Sequence, residues 1–283
     1  VSGKLALSGA WELTAKHGWF GGFSALVQGD GQTLIAGTDR GFRLNLDLSG
    51  DVPRAVPGSF RFVGLSGRGR EEVIDLESLT RDPASGTVWA GFENRNFVSR
   101  WAVDGTRTIV APPAMAEWSR NSGAETLERL ADGRFLMIAE GTERGSDTLH
   151  QGLLFPADPV AGSEPDRFRF AAPADFDPVD AAQLPDGRAL ILLRRVGYAI
   201  PAKFDTAVAI ADPRLIRADR PWQAEVLARL EGGIFADNFE GIAYVGSATD
   251  PSRGAIWLIS DDNMSLFQRT LLVRFDWHSA AIR

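Results

Sequence analysis

The sequence contains no cysteine and only three histidines among its 283 residues. The absence of cysteine excludes disulfides, zinc ribbons, iron–sulfur clusters and thiol nucleophiles. His17, His150 and His278 are too few for us to expect a metal site made of several imidazoles. His17 lies in a glycine-containing loop, where it could act as an acid or base, although an exposed loop histidine is the simpler interpretation.

Several other signals are missing as well. No apolar run approaches the roughly 18 residues that a membrane-spanning helix needs. The sequence has no Gly-x-Ser-x-Gly elbow, no phosphate-binding Gly-x-x-x-x-Gly-Lys loop and no dinucleotide fingerprint. An α/β-hydrolase triad and the common nucleotide-binding folds are therefore not expected.

Lysine is scarce, and the net charge is negative. Lys4, Lys16 and Lys203 are the only lysines among 30 basic residues, and the formal net charge is −7. This balance disfavours general binding to nucleic acid, which depends on basic residues that neutralise phosphates. The sequence opens at Val1 instead of Met; removal of a secretory signal would explain this, and so would trimming of the chain.

What the sequence does contain is a recurring unit of about 50 to 60 residues. Each copy has a short strand that opens with a small or acidic residue, a turn usually containing Asp-Gly or Ser-Gly, and an apolar strand that ends in a polar residue. A repeat of this length is typical of four-stranded propeller blades. The units open at positions 24, 77, 125, 180 and 240.

The repeats predict an all-β fold, a β-propeller with five blades that forms a single domain over residues 1–283. Six blades would result if a degenerate blade lies between residues 156 and 175. The first 20 or so residues are expected to close the ring beside a C-terminal strand at 270–277. The best candidate helix, at 220–230, is short and contains Pro221. Two packed sheets with accidentally similar hairpins are the alternative.

Acidic residues recur at matching points of these units. In an antiparallel hairpin, residues equidistant from the turn face each other. Glu125 is therefore predicted directly opposite Glu140, and the starts of the innermost strands are predicted to share one rim with the ends of their neighbours. The acids placed at this rim are Asp39, Glu77, Glu93, Glu125, Glu140, Asp180, Glu240, Asp261 and Asp262.

So dense a ring of carboxylates is unstable unless some are protonated, paired with arginine or bridged by a cation. Ca²⁺ takes six to eight oxygen ligands, so a calcium site is predicted at the rim. The alternative is that the acids only cap strand ends and pair with arginines. The predicted metal ligands are Asp39, Glu77, Glu125, Glu240 and Asp261.

Residues beside the acids complete the predicted site. Asn94, Asn121, Asn238 and Asn263 could add neutral oxygens, and Arg40, Arg95, Arg120 and Arg194 could pair with the acids or hold an anion. The predicted catalytic residues are Glu125, Glu240, Arg40 and Arg120. The predicted substrate-binding residues are Arg40, Arg95, Asn121, Asn238 and Asp262.

These motifs together resemble the bacterial phytase-like family, which is labelled for esterase-like activity of phytase. The resemblance spans residues 20–277 in the family's order. Its motifs here are 20–26 (FGGFSAL), 38–41 (TDRG), 75–79 (DLESL), Glu93, 121–127 (NSGAETL), 237–242 (DNFEGI), 260–263 (SDDN) and 268–270 (QRT).

The resemblance implies a β-propeller, usually exported, with an acid-lined channel that in true β-propeller phytases binds Ca²⁺ and phosphate. A periplasmic or secreted location is therefore expected. The chain departs from the family in two respects. Residues 122–124 are Ser-Gly-Ala where the family commonly has a basic residue, Gly and Phe. None of the three lysines falls in a motif, so the lysine-rich phosphate grip of true phytases is missing. Fold alone does not fix function.

The leading hypothesis is a metal-dependent phosphoester or ester hydrolase. Ca²⁺ would polarise the substrate and activate water, Glu125 or Glu240 would orient that water, and Arg40 or Arg120 would steady the anion. A calcium-dependent lactonase is a related alternative, and a non-catalytic propeller that binds a small ligand or protein partner is another. We expect a small anionic or ester substrate, no nucleic-acid partner and a monomer.

Overall fold

A computed structural model describes residues 1–63, 75–93, 96–119, 123, 125–197, 203–265 and 267–281. Three predicted site residues, Arg95, Arg120 and Asn121, lie outside the described residues, as does Asn94.

The described residues form 23 strands. The first eleven are β1 (Ser2–Gly3), β2 (Ala6–Glu12), β3 (Phe23–Gln28), β4 (Thr33–Thr38), β5 (Phe42–Asp47), β6 (Arg54–Ala55), β7 (Arg61–Phe62), β8 (Leu76–Arg81), β9 (Val88–Phe92), β10 (Phe97–Trp101) and β11 (Arg107–Val110). The others are β12 (Thr126–Arg129), β13 (Phe135–Thr142), β14 (Leu149–Phe155), β15 (Asp166–Ala171), β16 (Asp177–Gln183), β17 (Ala189–Gly197), β18 (Lys203–Ala211), β19 (Trp222–Gln223), β20 (Glu225–Leu230), β21 (Asn238–Gly246), β22 (Arg253–Asp261) and β23 (Leu271–His278).

Helical structure in the described part of the chain is limited to short 3₁₀ turns. Within those residues, no helix has both the length and the apolar character of a membrane span. The turns are Pro113–Met115, Pro159–Ala161, Pro213–Leu215, Gly233–Phe235 and Ser279–Ala281.

The strands form five sheets, which are the blades of a five-bladed β-propeller. Blade 1 contains β3–β7, blade 2 contains β8–β11, blade 3 contains β12–β15 with β19, blade 4 contains β16–β18 and β20 with β1, and blade 5 contains β21–β23 with β2. The innermost strands β3, β8, β12, β16 and β21 contact one another around the ring. The prediction of five blades is confirmed. Residues 156–175 do not form a sixth blade, since β15 is the fourth strand of blade 3.

The two ends of the chain meet in blade 5, as predicted. β2 pairs antiparallel with the C-terminal strand β23, with Ala10 opposite Val273. The chain start also contributes β1, which pairs with β20 in blade 4. Residues 220–230 are not a helix: they form β19 and β20, because pairing with the neighbouring strands outweighs a weak local helical preference.

The core consists of five apolar clusters, one between each pair of neighbouring blades. Both faces of a central blade strand are therefore buried. β17 shows the result in sequence, because residues 189–193 form one unbroken apolar run and all five are buried. Arg194 and Arg195 follow this run, toward the end of the strand.

The hairpin of blade 3 differs from the prediction by one residue. Gly133 adopts a left-handed φ of +90°, and the turn holds a three-residue loop closed by the hydrogen bond from Leu130 N to the carbonyl oxygen of Arg134. Thr126 therefore pairs with Ile138. The prediction that Glu125 lies directly opposite Glu140 across the ladder is wrong, although both residues are at the same rim.

Candidate functional site

A β-bulge recurs near the start of the innermost strands. The pairing with the next strand skips Ser24 in blade 1, Glu77 in blade 2, Val179 in blade 4 and Glu240 in blade 5. A bulge leaves one residue unpaired and re-aims its side chain. The start of the sequence repeat therefore coincides with a bulge in these four blades. In blades 2 and 5 the bulge turns the side chains of Glu77 and Glu240 toward the rim.

Asp180 follows the bulge of blade 4 by one residue and does not join the rim acids. Its carboxylate is buried and accepts hydrogen bonds from the backbone N–H groups of Ala181 and Ile242, both at 2.8 Å. Burial raises its pKa well above the usual range, and its nearest acidic neighbour is Glu128, not a rim residue. Asp180 instead ties blade 4 to blade 5 inside the channel.

Five carboxyl groups converge at the rim of blades 2 and 3, and we call them the acidic mouth: Asp75, Glu77, Glu93, Glu125 and Glu140. One oxygen from each of Asp75, Glu77 and Glu93 lies within 4.8 Å of the other two, and the same holds for Glu93, Glu125 and Glu140. Glu125 is buried and the other four are half-buried. Glu93 belongs to both groups, so the five carboxyls form one continuous cluster.

Asp75 is a member that sequence reasoning missed. It precedes β8, and its backbone carbonyl oxygen accepts a hydrogen bond from the backbone N–H of Glu93 at 3.1 Å. Asp75 lies opposite Glu93 because Leu76 pairs with Phe92. Equal distance from the turn at Ser85 and Gly86 does not predict this pairing, since the bulge at Glu77 shifts it by one residue.

The pKa values of Glu77, Glu93 and Glu125 are raised by burial and by repulsion from neighbouring carboxylates. Burial, then the charges of Asp75 and Glu140, raise the pKa of Glu93 to about 7. The pKa values of Glu77 and Glu125 are raised well above their usual range, first by burial and then by neighbouring carboxylates. The mouth therefore retains protons near neutral pH, and a bound cation would displace them.

Arg194 lies at the edge of this cluster and pairs with one of its acids, Glu140, and with Glu240 outside the cluster. Its Nη2 contacts Glu140 Oε1, and its Nη1 contacts Glu240 Oε1. Asn238 accepts from Arg194 Nη1 at 3.1 Å and donates to Glu240 at 2.8 Å. Burial raises the pKa of Glu240, and Arg194 and Asn238 oppose that shift. Glu240 and Asn238, predicted as ligand and binding residues, are thus held by Arg194.

Glu140 is also fixed through its backbone. The carbonyl oxygen of Glu140 lies 2.7 Å from Nδ1 of the buried His150. Because a carbonyl can only accept, Nδ1 carries the proton of the neutral ring. Burial lowers the pKa of His150, so this donor stays in place across neutral pH.

The other predicted acids form a second group beside blades 1 and 5. Burial raises the pKa of Asp39 to about 6, and burial followed by the charge of Glu240 raises that of Asp261 to about 8. Oδ1 of Asp39 is buried without a hydrogen-bond partner among the described residues. Asp262 accepts hydrogen bonds from Gly22 N, Met264 N and Thr270 Oγ1, at 3.0–3.2 Å. Asp262 is therefore a loop-anchoring residue in this structure.

Arg40 lies at the outer edge of this second group. Its Nε is 4.0 Å from Asp39 Oδ1, and its guanidinium lies over the exposed ring of Trp19, 5.4 Å from the centroid. His17 is elsewhere in the same loop region, where it packs against Phe42 and Phe60. Arg40 therefore borders the second group of acids, and His17 belongs to an aromatic cluster.

Replacing Gly22 by alanine is expected to displace Asp39. The φ of Gly22 is +67°, which strains any side chain, and the new Cβ would overlap Asp39 Oδ1. Gly58 is a matched control, since its φ is +71° and a Cβ there meets no atom within 4 Å. We expect Gly58→Ala to cost about 1 kcal/mol and Gly22→Ala about 1–2 kcal/mol more. Urea denaturation measures both, and equal losses would show that Asp39 moves without cost.

A match over most of the sequence identifies the family. Residues 18–264 match the phytase-like family, described by the esterase-like activity of phytase. The chain belongs to this family. All five residues of the acidic mouth lie within the match to the phytase-like family. No curated protein is significantly similar in sequence to this phytase-like chain.

Solved structures of other proteins share the propeller fold with the phytase-like chain. An α-L-arabinofuranosidase from Podospora anserina, in complex with cellotriose, is 12% identical, with 98% of each chain covered and a TM-score of 0.55. Virginiamycin B lyase from Staphylococcus aureus, in an inactive form with quinupristin, is 10% identical over 96% of this chain and 88% of the lyase, with a TM-score of 0.46. At this identity, the similarity to the arabinofuranosidase shows the fold alone.

Proposed function

We propose that this phytase-like protein is a calcium-dependent hydrolase of phosphoesters or carboxylic esters, and that the reaction takes place at the acidic mouth. The observation that supports this is the convergence of five carboxyl groups in two overlapping groups, with oxygens within 4.8 Å of one another. Family membership supports ester hydrolysis as the class of reaction. The five carboxyls would supply the ligands of the metal ion.

The side chains of the mouth suit a hard divalent cation. They offer carboxylate oxygens, which Ca²⁺ prefers. The pKa values of Glu77, Glu93 and Glu125 are raised by burial and repulsion, and a cation would relieve that repulsion. Asp75, Glu77 and Glu93 would hold the ion, because one oxygen of each lies within 4.8 Å of the other two. Glu125 would lie beside the ion, while Asp39, Glu240 and Asp261 would border it.

When bound, Ca²⁺ would polarise the scissile ester and favour attack by water. Glu125 is buried with a raised pKa, so its carboxyl group can move a proton near neutral pH. Arg194 holds Glu140 and Glu240 in place through its two terminal nitrogens. Arg40, at the outer edge, is placed to hold the anionic part of a substrate.

Activity assays test the proposal directly. The purified protein is assayed with 4-nitrophenyl acetate, 4-nitrophenyl phosphate and phytate, in buffer freed of metals and again with added CaCl₂. We expect turnover of at least one substrate with calcium, and a loss of about 100-fold or more in Glu125→Gln, the size typical of a lost acid–base group.

Glu128→Gln is the matched control for Glu125→Gln. Glu128 is also a channel glutamate with a pKa raised to about 7 by burial, but it accepts from Thr80 Oγ1 at 2.8 Å and Gln183 N at 2.7 Å, at the far end of the channel. Its activity should stay near that of the unsubstituted protein. No turnover of any substrate by folded protein that is stabilised by calcium would overturn the proposal and favour a non-catalytic binding protein.

A further inference from the structure

A basic cleft lies between blades 1 and 2. Its walls come from β5 and β7 of blade 1 and from β8, β10 and β11 of blade 2, and its volume is about 610 Å³. We call it the arginine cleft after the four arginines that line it: Arg43, Arg61, Arg81 and Arg107.

The arginine cleft is separate from the acidic mouth. β3 and β8 start at the acidic rim, and the cleft is lined in part by the segments that follow their other ends, 29–30 and 83–86. None of the five mouth residues is among the described residues that line the cleft.

One acid faces the four arginines of the cleft. Asp30 is the only acidic residue among the described residues that line it, and it pairs with Arg81. The Asp30 side chain is 91% exposed, whereas that of Arg81 is 9% exposed. Water screens the aspartate strongly, so it neutralises the cleft only in part.

Two of the other arginines donate hydrogen bonds to neutral oxygens. Arg43 donates from Nε to Asn45 Oδ1 at 2.9 Å, and Arg107 donates from Nη1 to the carbonyl oxygen of Val63 at 2.7 Å. Within the part of the chain that the structure describes, neither Arg43 nor Arg61 forms an ion pair with a carboxylate. The contact with Asn45 positions the Arg43 guanidinium and leaves its charge in place.

Like charges held this close repel one another. The pKa of Arg43 is lowered by its burial and then by the charges of Arg61 and Arg81. A cleft of one sign of charge concentrates ions of the other sign. Arg43, Arg61 and Arg81, less Asp30, leave a charge of +2 in a chain whose formal net charge is −7.

We propose that the arginine cleft binds a small organic anion with at least two phosphate or sulfate groups. Guanidinium forks bind such oxyanions through paired hydrogen bonds. An anion with two charged groups is needed to balance the positive charge of the cleft. Its volume falls within the roughly 300–1,000 Å³ of small-molecule sites. The Trp101 ring, 5.1 Å from the Arg107 guanidinium, provides an apolar wall for a carbon skeleton.

Binding is measured by isothermal titration in calcium-free buffer at constant ionic strength, with three probes: fructose 1,6-bisphosphate, a disulfated glucosamine and inorganic phosphate. We expect the bisphosphate, the disulfate or both to bind at least tenfold more tightly than inorganic phosphate. The probe that binds identifies the oxyanion. Because no calcium is present and no turnover is measured, the result is independent of the proposed hydrolase activity.

Two substitutions locate the site. Arg61→Gln changes an exposed side chain and should raise the Kd at least threefold without affecting folding, and the Arg43→Gln/Arg61→Gln pair should raise it at least tenfold. Arg54→Gln is the matched control, an exposed arginine of the same blade that does not line the cleft, and should leave the Kd within twofold. Binding no tighter than that of inorganic phosphate, or binding unchanged in the double variant, would overturn the proposal.

Discussion

Replacing Arg194 by glutamine is expected to lower the free energy of unfolding by about 3–5 kcal/mol, the cost of leaving a buried charge without its partner. Arg194 is 14% exposed and pairs with Glu240, which is 11% exposed, and with Glu140. Without the guanidinium, these carboxylates repel each other and Glu125. Urea denaturation at pH 8 measures the loss, since the acids are most fully ionised there.

Arg195→Gln is the control for this prediction, on the same strand. Arg195 is 37% exposed and pairs with Asp205 at 2.6 Å near the surface, so its loss should cost about 1 kcal/mol or less. The double variant Arg194→Gln/Glu240→Gln should recover part of the stability, because it removes the unpaired charge together with its partner. Similar losses in Arg194→Gln and Arg195→Gln would contradict a buried ion-pair network.

The second large effect concerns pH. Without calcium, the protein is expected to become less stable as the pH rises from 6 to 8, by roughly 2–4 kcal/mol. The pKa of Glu93 is raised to about 7 and that of Asp261 to about 8, both chiefly by burial, whereas unfolded carboxyls titrate near 4. The folded chain therefore holds protons that the unfolded chain has released. Each such proton lowers stability by about 1.4 kcal/mol per pH unit as the pH rises.

Denaturant midpoints at pH 6, 7 and 8, with and without calcium, measure this slope. Added calcium should flatten it, because a bound cation favours the ionised carboxylates. Glu93→Gln should also flatten the slope, whereas Asp104→Asn should not, since hydrogen bonds from Thr106 lower the pKa of the exposed Asp104. Stability that is constant or rises between pH 6 and 8 in calcium-free buffer would contradict the raised pKa values.

The fold could be predicted because its signals are local. Four of the five inner hairpins are marked by an Asp-Gly or Ser-Gly turn between apolar strands, and the repeat length identifies the blade. The closure of the ring could be predicted from the number of units. Five units account for nearly the whole chain and leave the first residues to pair with β23. The helix candidate at 220–230 failed because its residues are needed as strands in blades 3 and 4.

The site was predicted in outline and missed in detail. Glu77 and Glu125 were found as rim acids, but Asp75 was passed over because the bulge at Glu77 shifts the pairing by one residue. Asp180 was placed at the rim, yet it lies one residue past its own bulge and binds the backbone inside the channel. A one-residue shift decides which way a strand residue points, and no short motif reveals it.

The lack of cysteine and the scarcity of histidine and lysine determine which side chains can form these sites. With no cysteine and no histidine in the acidic mouth, the candidate metal site there consists of carboxylates alone. Because lysine is scarce, the positive side chains at both places are arginines. They are Arg194 beside the mouth and the four arginines of the arginine cleft.

By itself the sequence determined the propeller, the number of its blades and the rim at which acids collect, because strand alternation and turn chemistry act over a few neighbouring residues. Only the tertiary structure decided which carboxyls touch, that Arg194 of blade 4 joins Glu140 of blade 3 to Glu240 of blade 5, and that arginines of two blades share one cleft. Those contacts join residues about 45–55 positions apart in the chain, and packing of whole blades, not local pattern, sets their distances.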